Sequence, residues 1–415
     1  MWETATPLNS NGRFSGADAR GLPRGRAVCP SLKGELTETA FTGVAAMLGT
    51  SFPLKGGNSR TEKELLMKRE MMRAAVLAGP ERIEIRRVPV PEMTPGMIKI
   101  RVSTCGVCGS DIHMWKAGKG WSPEPLADFH MGHEFCGVVV DPGDSDFHTG
   151  DRVTFWANLY CGVCDMCRAG KEHLCREVHG TNYIGFVCNG GYAEYFVGKK
   201  GNAYSLPDSV SDIAAGLIDP LMVAYHAIRT SRLKLGDSAL VVGSGIIAQL
   251  LGGLLKRAGV SCLAMSRIDD RQTGKAREIG DFDIYFDGND PNRAAKMREY
   301  SHGGFDMVFE AVGTGESLAT CMDGVKPGGE IVLIGNSTTP AVPFELNRAV
   351  LHEVRLTGSV SCTRQEFEET IGLIANGVID VEKYVTDILP LEQLQYAFEK
   401  QVSPDGRVLK SVIRP

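Results

Sequence analysis

The alternation of hydrophobic and polar positions divides the chain into regions of different character. Between Arg73 and about residue 205, short segments such as RIEIRRVPV and MIKIRVST alternate apolar and polar side chains and are separated by Pro and Gly. A period of two is typical of strands with one buried face, and a series of short strands indicates a barrel-like β unit. The segment Thr61–Met72, TEKELLMKREMM, instead predicts a short charged helix or linker.

Beyond Pro220, apolar runs alternate with helical patterns. SALVVGSG predicts a strand that enters a glycine turn, IIAQLLGGLLKRAG the helix behind it and VSCLAMS the next strand, with further strands at FDMVFEAVG and GGEIVLIG. Such alternation predicts a parallel sheet that is covered by helices on both faces. Near the end of the chain, QEFEETIGLIANG predicts a helix and RVLKSVIRP a closing strand.

Composition limits the classes of protein that this pattern allows. The chain has 415 residues, 43% hydrophobic and 23% charged, which excludes wholesale disorder. Residues 1–60 hold nine Gly and eleven Ser or Thr without a sustained apolar period, so we expect a flexible N-terminal extension over 1–70. The net charge of −5 gives no general attraction for nucleic acid. Ser238–Leu255 is uncharged, but its glycines divide it into strand, turn and helix, so we expect no membrane span.

Four of the twelve cysteines have the spacing of a metal site. Cys161, Cys164, Cys167 and Cys175 follow the pattern C-x2-C-x2-C-x7-C. Two-residue gaps let successive thiolates turn back onto one ion, and four thiolates complete a closed zinc shell that holds a loop. A zinc knuckle that binds nucleic acid is the rival interpretation, but DMCRAGKEHLC has no aromatic residue for base stacking. Cysteines at metal-ligand spacing favour a reducing compartment, so we expect a cytoplasmic protein.

A second set of metal-ligating side chains comes from two separate motifs. TCGVCGSDIHMW contributes Cys108, Ser110, Asp111 and His113, and HMGHEFCGVV contributes His133 and Glu134. A thiolate, an imidazole and a carboxylate satisfy zinc and leave a fourth position for substrate. Cys105 and Cys136 are rival ligands, which we interpret as packing residues.

The glycine turn has the pattern of a dinucleotide site. Gly243-Ser-Gly245-Ile246-Ile247-Ala248 is a G-x-G-x-x-A turn between a predicted strand and a predicted helix. Gly243 permits the tight turn, Gly245 lets the backbone approach a pyrophosphate at the helix N-terminus, and Ala248 allows the helix to pack closely on the strand. The strand–turn–helix context supports this interpretation.

The end of the next strand bears on which dinucleotide is bound. An acidic residue is expected there, roughly twenty positions on, when the ribose hydroxyls are bound. The chain has Ser266 and Arg267 at that place. A carboxylate would repel a 2′-phosphate, whereas a hydroxyl and a guanidinium would accept it, so the sequence favours NADP. The alternative is that Asp269 binds the ribose and NAD is the cofactor.

These three elements, in this order, resemble the zinc-containing medium-chain dehydrogenase/reductase family, which includes alcohol, sorbitol and threonine dehydrogenases. The resemblance extends over roughly residues 72–415 and implies an α/β plus β fold. It implies a GroES-like β-barrel catalytic domain with the structural zinc lobe at 71–222. It also implies an inserted Rossmann domain with a doubly wound parallel sheet at 223–360, and a segment at 361–415 that returns to the catalytic domain. Family members suggest a homodimer or homotetramer.

The resemblance also assigns the metal ligands and the proton path. It implies that Cys108 and His133 bind the catalytic zinc and that Asp219, in IDPLMVAYHA, is the third ligand. Glu134 is the neighbour that alternates with substrate as a ligand in this family. Ser110 resembles the hydroxyl that takes the substrate proton.

Further roles follow from the same resemblance. His113 resembles the next member of the proton relay, and Asp111 the residue that orients the histidine ligand. Lys410 matches a position that lies near the cofactor diphosphate in relatives. Ser361 and Cys362, in GSVSCT, stand where sorbitol-type members carry a basic and an aromatic residue, which argues against a sorbitol-like substrate.

The predicted function is the reversible oxidation of a secondary alcohol, polyol or sugar derivative to a ketone. One catalytic and one structural zinc per chain and hydride transfer to NADP, or to NAD, are expected. The alternative substrate is an amino alcohol such as threonine or an aminocyclitol. A zinc-ribbon protein that binds nucleic acid is the distant alternative, which the acidic charge disfavours.

Overall fold

The computed structural model describes residues 70–122, 125–176, 183–267, 273–337, 339, 341–403 and 408–415. All of them lie in one compact unit, Leu54–Pro415. The expected flexible extension over 1–70 lies outside the described residues, apart from Glu70.

The described strands run through the whole of this unit. They are β1 (Met71–Gly79), β2 (Arg82–Pro89), β3 (Met97–Gly106), β4 (Glu134–Asp141), β5 (Arg152–Phe155), β6 (Tyr195–Lys199), β7 (Ala203–Ser205), β8 (Ser238–Val242), β9 (Cys262–Arg267), β10 (Ile284–Asp287), β11 (Phe305–Glu310), β12 (Val325–Leu333), β13 (Arg355–Gly358), β14 (Val385–Pro390) and β15 (Lys410–Arg414).

The described helices lie mainly in the second half. They are α1 (Gly109–Ala117), α2 (Asp165–Arg168), α3 (Asp212–Ala215), α4 (Ile218–Thr230), α5 (Ile246–Arg257), α6 (Thr273–Ile279), α7 (Arg293–Tyr300), α8 (Gly315–Gly324), α9 (Leu346–Leu351), α10 (Arg364–Ala375) and α11 (Leu394–Val402). In the part of the chain that the structure describes, we find no helix with the length and apolar character of a membrane span.

The first sheet is built from the alternating segments. Within the described residues its strand order is β14-β15-β3-β4-β5-β7, with β6 also paired to β3. Along β3, Ile98, Ile100 and Val102 are buried, whereas the intervening Lys99 and Arg101 are more exposed. This alternation turns one face of the strand toward the hydrophobic core. The hairpin of β1 and β2 pairs separately.

The second sheet is entirely parallel. Its order among the described strands is β10-β9-β8-β11-β12-β13, and each neighbouring pair is parallel. This is the order of a doubly wound sheet, whose strand order reverses beside the first strand, β8. Ligands bind such sheets at the carboxyl ends of the strands, at that reversal. The glycine turn follows β8 at this place.

Helix α5 packs closely because it carries two glycines. A Cβ on Gly253 would lie 2.6 Å from the hydroxyl of Tyr384, and a Cβ on Gly252 would collide with the ring of Phe282. The GG pair in the middle of the helical pattern is therefore a packing requirement.

The predicted strands and helices that fall on described residues agree with the structure in type and order, with one correction. Residues 61–69 of the predicted charged helix or linker lie outside the described residues. Met71 and Met72 belong to strand β1 and not to the charged segment, because Met72 is buried against Ala74 and Val88. The structure combines a GroES-like unit with a Rossmann sheet, which is the fold class that the sequence predicted. Strands β14 and β15, from the predicted returning segment, join the first sheet. The domain boundaries at 222 and 360 stay predictions.

Candidate active site

Four sulfur atoms converge in the loop between β5 and β6. The Sγ atoms of Cys161, Cys164, Cys167 and Cys175 all lie within 4.8 Å of one another, and we call this set the four-cysteine cluster. The backbone N–H groups of Val163 and Cys164 donate to Cys161 Sγ at 3.4 and 3.3 Å. Backbone hydrogen bonds also lower the pKa of Cys164 to about 6. Burial, in contrast, raises the pKa of Cys167 to about 12. It is the convergence of four sulfur atoms that fits the closed shell of a zinc ion.

A second cluster joins two motifs that are distant in sequence. Ligand atoms of Cys108, His133 and Glu134 lie within 4.8 Å of one another, and we call this set the three-ligand cluster. Cys108 precedes the first residue of α1, and Glu134 is the first residue of β4. Both positions are fixed by secondary structure, because β3 leads into α1 and pairs with β4. The three residue types fit a zinc ion with an open position.

Asp111 holds the histidine of this cluster. Its Oδ1 lies 3.5 Å from His133 Nδ1, and its Oδ2 accepts hydrogen bonds from the hydroxyl of Tyr192 at 2.7 Å and the N–H of Cys108 at 3.1 Å. Burial opposes protonation of His133, but the neighbouring Asp111 and Cys108 raise its pKa well above its ordinary value. With Nδ1 facing Asp111, the other ring nitrogen, Nε2, is the one free to bind a metal.

Lys410 lies beside the three-ligand cluster. Its buried ammonium pairs with Oε2 of the buried Glu134 and donates to the carbonyl of Val107 at 2.9 Å. Burial lowers the pKa of Lys410, but Glu134, Cys108 and Asp219 together more than offset this, so the net shift is upward. Gly106 is required for this arrangement, because a Cβ there would collide with the Glu134 carboxylate. The approach of Lys410 to a cofactor diphosphate stays a prediction.

Asp219 stands near this cluster but outside the three residues that share it. It lies in the first turn of α4. Burial raises its pKa to about 7, while the charges of His133 and Lys410 lower it. A carboxyl group whose charged form is destabilised by burial gains from a cation close by. The assignment of Asp219 as a third ligand stays a prediction.

Several polar atoms around the cluster are buried without a hydrogen-bond partner. Among the described residues these include Ser110 Oγ and Glu134 Oε1, whereas Asp111 Oδ1 and His133 Nδ1 face each other at 3.5 Å. An unsatisfied buried polar atom costs about 1–3 kcal/mol, so a group of them in one place indicates a ligand. His113, the next predicted relay member, is exposed on α1. Ser110 Oγ is thus buried, whereas His113 is exposed to solvent.

The glycine turn has the geometry of a dinucleotide-binding loop. Gly243 has φ 126°, a conformation that favours glycine, and its N–H donates to the carbonyl of Ser266 at 2.8 Å. Gly245 immediately precedes α5, and Ile246 and Ile247 form the first helical residues. Ala248 is buried at the first turn. The N–H groups of the first turn of α5 have no acceptor within the helix and can bind an anion.

Ser266 and Arg267 end strand β9 at the same edge of the sheet. The side chain of Ser266 is buried, and its Oγ has no hydrogen-bond partner among the described residues. Arg267 pairs in register with Asp287 of β10. Asp269, the alternative ribose ligand, lies outside the described residues.

Aromatic side chains beside the three-ligand cluster were not predicted from sequence. The ring of Phe186 lies 4.8 Å from the ring of His133, and Trp121 packs on Phe186 at 4.6 Å. These residues come from two loops that carry no metal-ligating motif. An aromatic residue in a loop is common, and only the fold shows which of them reach the site.

Comparison with known proteins agrees with this architecture. Residues 94–208 match the family model of the alcohol dehydrogenase GroES-like domain, and residues 247–376 match that of the zinc-binding dehydrogenases. A GroES-like unit joined to a Rossmann sheet, with two clusters of metal-ligating side chains, defines a metal-dependent oxidoreductase. L-Threonine 3-dehydrogenase of Sinorhizobium medicae is 33% identical over 353 residues, which are 82% of this chain and 98% of that protein. The chain belongs to the zinc-containing medium-chain dehydrogenase/reductase family.

Two further relatives extend the comparison. (R,R)-Butanediol dehydrogenase of Neisseria gonorrhoeae is 29% identical over 358 residues, which cover 83% of this chain and 99% of that protein. The crystal structure of a zinc-binding dehydrogenase from Sinorhizobium meliloti, bound to NADP, has a TM-score of 0.74 and 27% identity, and covers 84% of this chain and all of that one. The protein is thus a zinc-dependent alcohol dehydrogenase that uses NAD(P), as predicted.

Proposed function

We propose that the protein oxidises a secondary alcohol, a polyol or a sugar derivative to the ketone with NADP as the preferred acceptor. The observation that carries this proposal is the unpartnered, buried Ser110 Oγ beside the three-ligand cluster. A hydroxyl acceptor and an open metal position at one place are what the deprotonation of an alcohol needs. Two relatives are named for threonine and butanediol, whose reacting hydroxyl groups are secondary alcohols.

In this proposal the two clusters hold different zinc ions. Cys108, His133 and Asp219 hold the catalytic zinc, and Glu134 is its exchangeable neighbour. When bound there, zinc supplies a Lewis acid that lowers the pKa of the substrate hydroxyl. Asp111 keeps the imidazole of His133 in the binding orientation. The four-cysteine cluster holds the structural zinc, which ties the loop between β5 and β6 together.

The proton leaves the substrate through side chains of α1. Ser110 accepts the proton of the substrate hydroxyl as it releases its own hydroxyl proton toward His113, because its Oγ is buried and has no other described partner. His113 is exposed on the same helix and passes the proton to solvent. His113 lies three positions after Ser110, so the two side chains share one face of α1. This route connects the buried site to water.

The dinucleotide occupies the carboxyl edge of the parallel sheet. The backbone of Gly243 to Ala248, including Gly245, Ile246 and Ile247, binds the pyrophosphate. Ser266 and Arg267 bind the 2′-phosphate, which supports NADP over NAD, and the similar structure from S. meliloti contains NADP. Lys410 approaches the diphosphate from the first sheet. When bound, the dinucleotide supplies the hydride acceptor.

The proposal is tested by following reduced-dinucleotide formation with a panel of secondary alcohols, polyols and amino alcohols. The zinc-loaded full-length chain is assayed with NADP and with NAD, before and after a chelator. We expect turnover of a neutral alcohol that is faster with NADP and is lost with the chelator. Turnover that survives complete zinc removal, or a clear preference for NAD, would contradict the corresponding part of the proposal.

An amino alcohol is the second candidate substrate. The relative at 33% identity is an L-threonine 3-dehydrogenase, so L-threonine belongs in the panel. A kcat/KM for threonine that exceeds every neutral alcohol by tenfold or more would favour this second candidate.

We also infer that the protein is a cytoplasmic homodimer or homotetramer without a nucleic-acid partner. Thiolate ligands persist in a reducing compartment. Beside β13, the edge strand of the described parallel sheet, Leu346, Val350 and Leu351 are 65%, 66% and 80% exposed. An edge strand with an apolar neighbourhood is suited to pairing with an identical edge around a two-fold axis. Light scattering on the purified chain is expected to give two or four times the chain mass of 44.9 kDa, and a monomer would contradict the inference.

A further inference from the structure

The side chain of Asp111 contacts two of the residues in the three-ligand cluster. Its Oδ1 lies 3.5 Å from Nδ1 of His133, and its Oδ2 accepts a hydrogen bond from the N–H of Cys108 at 3.1 Å. Asp111 is fully buried in the first turn of α1. The end of an aspartate side chain rotates easily, because its last torsion has broad energy wells. The direction of this carboxylate must therefore be fixed by its other contacts.

A second donor to this carboxylate is the hydroxyl of the fully buried Tyr192. The hydroxyl oxygen lies 2.7 Å from Asp111 Oδ2 and 2.9 Å from the carbonyl oxygen of Gly106. Burial and the neighbouring Asp111 raise the pKa of Tyr192 well above its ordinary value, so the hydroxyl keeps its proton and is a donor. A hydrogen bond to a charged carboxylate is shorter and stronger than one to a neutral carbonyl. Asp111 is therefore the principal acceptor of this hydroxyl.

The backbone of Tyr192 is held on both sides. Its N–H donates to the carbonyl of Met131 at 3.0 Å, and its own carbonyl accepts from the N–H of Ala75 on β1 at 2.9 Å. A Cβ on Gly132 would lie 3.1 Å from the tyrosine ring, so the glycine leaves room for that ring. Because Met131 and Gly132 directly precede His133, the tyrosine is fixed to the same segment as the histidine of the cluster.

These hydrogen bonds give the two oxygens of Asp111 different partners. Oδ2 accepts from Tyr192 and from the backbone of Cys108, and Oδ1 stands opposite the imidazole of His133. Without the tyrosine hydroxyl, Oδ2 would keep one donor among the described residues, and the carboxylate could turn away from the imidazole. A histidine whose second nitrogen is held by a carboxylate has a fixed ring orientation and is the more basic metal ligand.

We propose that Tyr192 is a positioning residue of the catalytic centre, whose hydroxyl holds Asp111 against His133 and thereby sets the affinity of the three-ligand cluster for its divalent cation. This inference rests on the proposed assignment of that cluster to a catalytic zinc. The hydroxyl acts through two other side chains, so its effect should appear in metal binding and in the geometry around the ion. A tyrosine that only filled the core could be replaced by phenylalanine without either change.

The test removes one hydroxyl group and leaves the ring in place. The affinity for Zn²⁺ is measured on the full-length wild type and on Tyr192→Phe by competition with a chelating dye. Cys108→Ser identifies which of the bound ions belongs to the three-ligand cluster. Tyr384→Phe is the matched control, because the hydroxyl of the fully buried Tyr384 donates to a carboxylate oxygen of Asp281 at the same distance, 2.7 Å, outside both clusters.

We expect Tyr192→Phe to raise the dissociation constant of this ion by about tenfold or more and to leave that of the four-cysteine cluster unchanged. Tyr384→Phe should leave both constants within about twofold of the wild type. The melting temperature of the zinc-free chain should fall to a similar extent in the two variants, since each loses one buried hydrogen bond. An unchanged constant in Tyr192→Phe, or an equal rise in the control, would overturn the inference.

Two further measurements separate positioning from a loss of packing. In an Asp111→Asn background, the additional effect of Tyr192→Phe should shrink to about twofold or less, because the charged acceptor is absent. The visible spectrum of bound Co²⁺, after subtraction of the Cys108→Ser spectrum, should change in Tyr192→Phe and stay that of the wild type in Tyr384→Phe. The same loss of affinity in both backgrounds, or an unaltered Co²⁺ spectrum in Tyr192→Phe, would also contradict the inference.

Failure of the proposed function gives a different result. A wild type that binds zinc only at the four-cysteine cluster would overturn the proposed function together with this inference. A wild type that binds both zinc ions but oxidises no alcohol of the panel would overturn the proposed function alone, because the affinities and spectra are measured without turnover and decide the inference by themselves.

Discussion

The four-cysteine cluster and the three-ligand cluster differ in how completely the protein satisfies their atoms. In the four-cysteine cluster, sulfur atoms accept hydrogen bonds from backbone N–H groups of the same loop. In the three-ligand cluster, Glu134 Oε1 is buried without a hydrogen-bond partner, as is the nearby Ser110 Oγ. The first arrangement is complete with a metal alone. The second has polar atoms left over for a substrate, and this difference supports the proposed division into a structural and a reactive centre.

The two clusters also differ in which part of the fold brings their ligands together. Cys161 to Cys175 form a single loop, so that local geometry alone brings the sulfurs together. The three-ligand cluster requires the pairing of β3 with β4, and its ion pair requires the pairing of β15 with β3. We expect the loop to tolerate changes elsewhere in the fold, and the reactive centre to be sensitive to them.

Replacing Cys108 by Ser is expected to have the largest effect on activity. The loss of the thiolate weakens metal binding where the substrate binds, so kcat/KM should fall by roughly 10³-fold or more. The melting temperature should change little, since the four-cysteine cluster is intact. Steady-state rates, zinc content and thermal unfolding are measured together, with Cys262→Ser as a control outside both clusters. Full activity in Cys108→Ser would contradict the assignment of the catalytic centre.

Replacing Lys410 by Met tests the ion pair that distinguishes the three-ligand cluster. Both partners are almost fully buried, so removing the cation leaves Glu134 as an uncompensated charge and should cost about 3–5 kcal/mol of unfolding free energy. Lys400→Met is the control, because the pair of Lys400 with Asp387 is more exposed and should cost below about 1 kcal/mol. The free energy of unfolding of both variants is measured by urea denaturation. Equal losses would show that the buried pair has no special importance.

Replacing Cys164 by Ser should give the smallest effect on chemistry and a clear effect on stability. The zinc content is expected to fall from two to one per chain, and the melting temperature by about 5–10 °C. At low temperature kcat should remain within about twofold of the wild type, because the cluster lies outside the reacting centre. A variant that loses activity at 10 °C while still folded would remove the functional distinction between the clusters.

The fold was largely predictable because its signals are local. Alternation predicted β3, and the apolar run before Gly243 predicted β8 and the dinucleotide turn. The four-cysteine motif was equally easy to recognise in the sequence, because its spacing is short. Met71 and Met72 were assigned to the preceding charged segment because the charged residues before them dominate the local pattern. In the structure both belong to β1, since Met72 packs into the hydrophobic core.

The reactive centre was predictable only in part. Cys108, His133 and Glu134 stand in short motifs, and the structure brings them together. The contact of Lys410 with Glu134 spans 276 residues of sequence and depends on the register of β15, in which Val412 stands opposite Gly106. The aromatic neighbours of His133 come from loops without a pattern. Such contacts depend on strand pairing and loop packing, which a short stretch of sequence does not reveal.

Strand β15 also sets the order in which the protein can mature during synthesis. Glu134 meets Lys410 only after 276 further residues have been translated, which takes on the order of tens of seconds at the ribosome. The loop of Cys161–Cys175 emerges much earlier and holds all its ligands, so it can acquire zinc while the chain is still growing. The four-cysteine cluster can therefore be complete in the nascent chain before the ion pair of the three-ligand cluster can form.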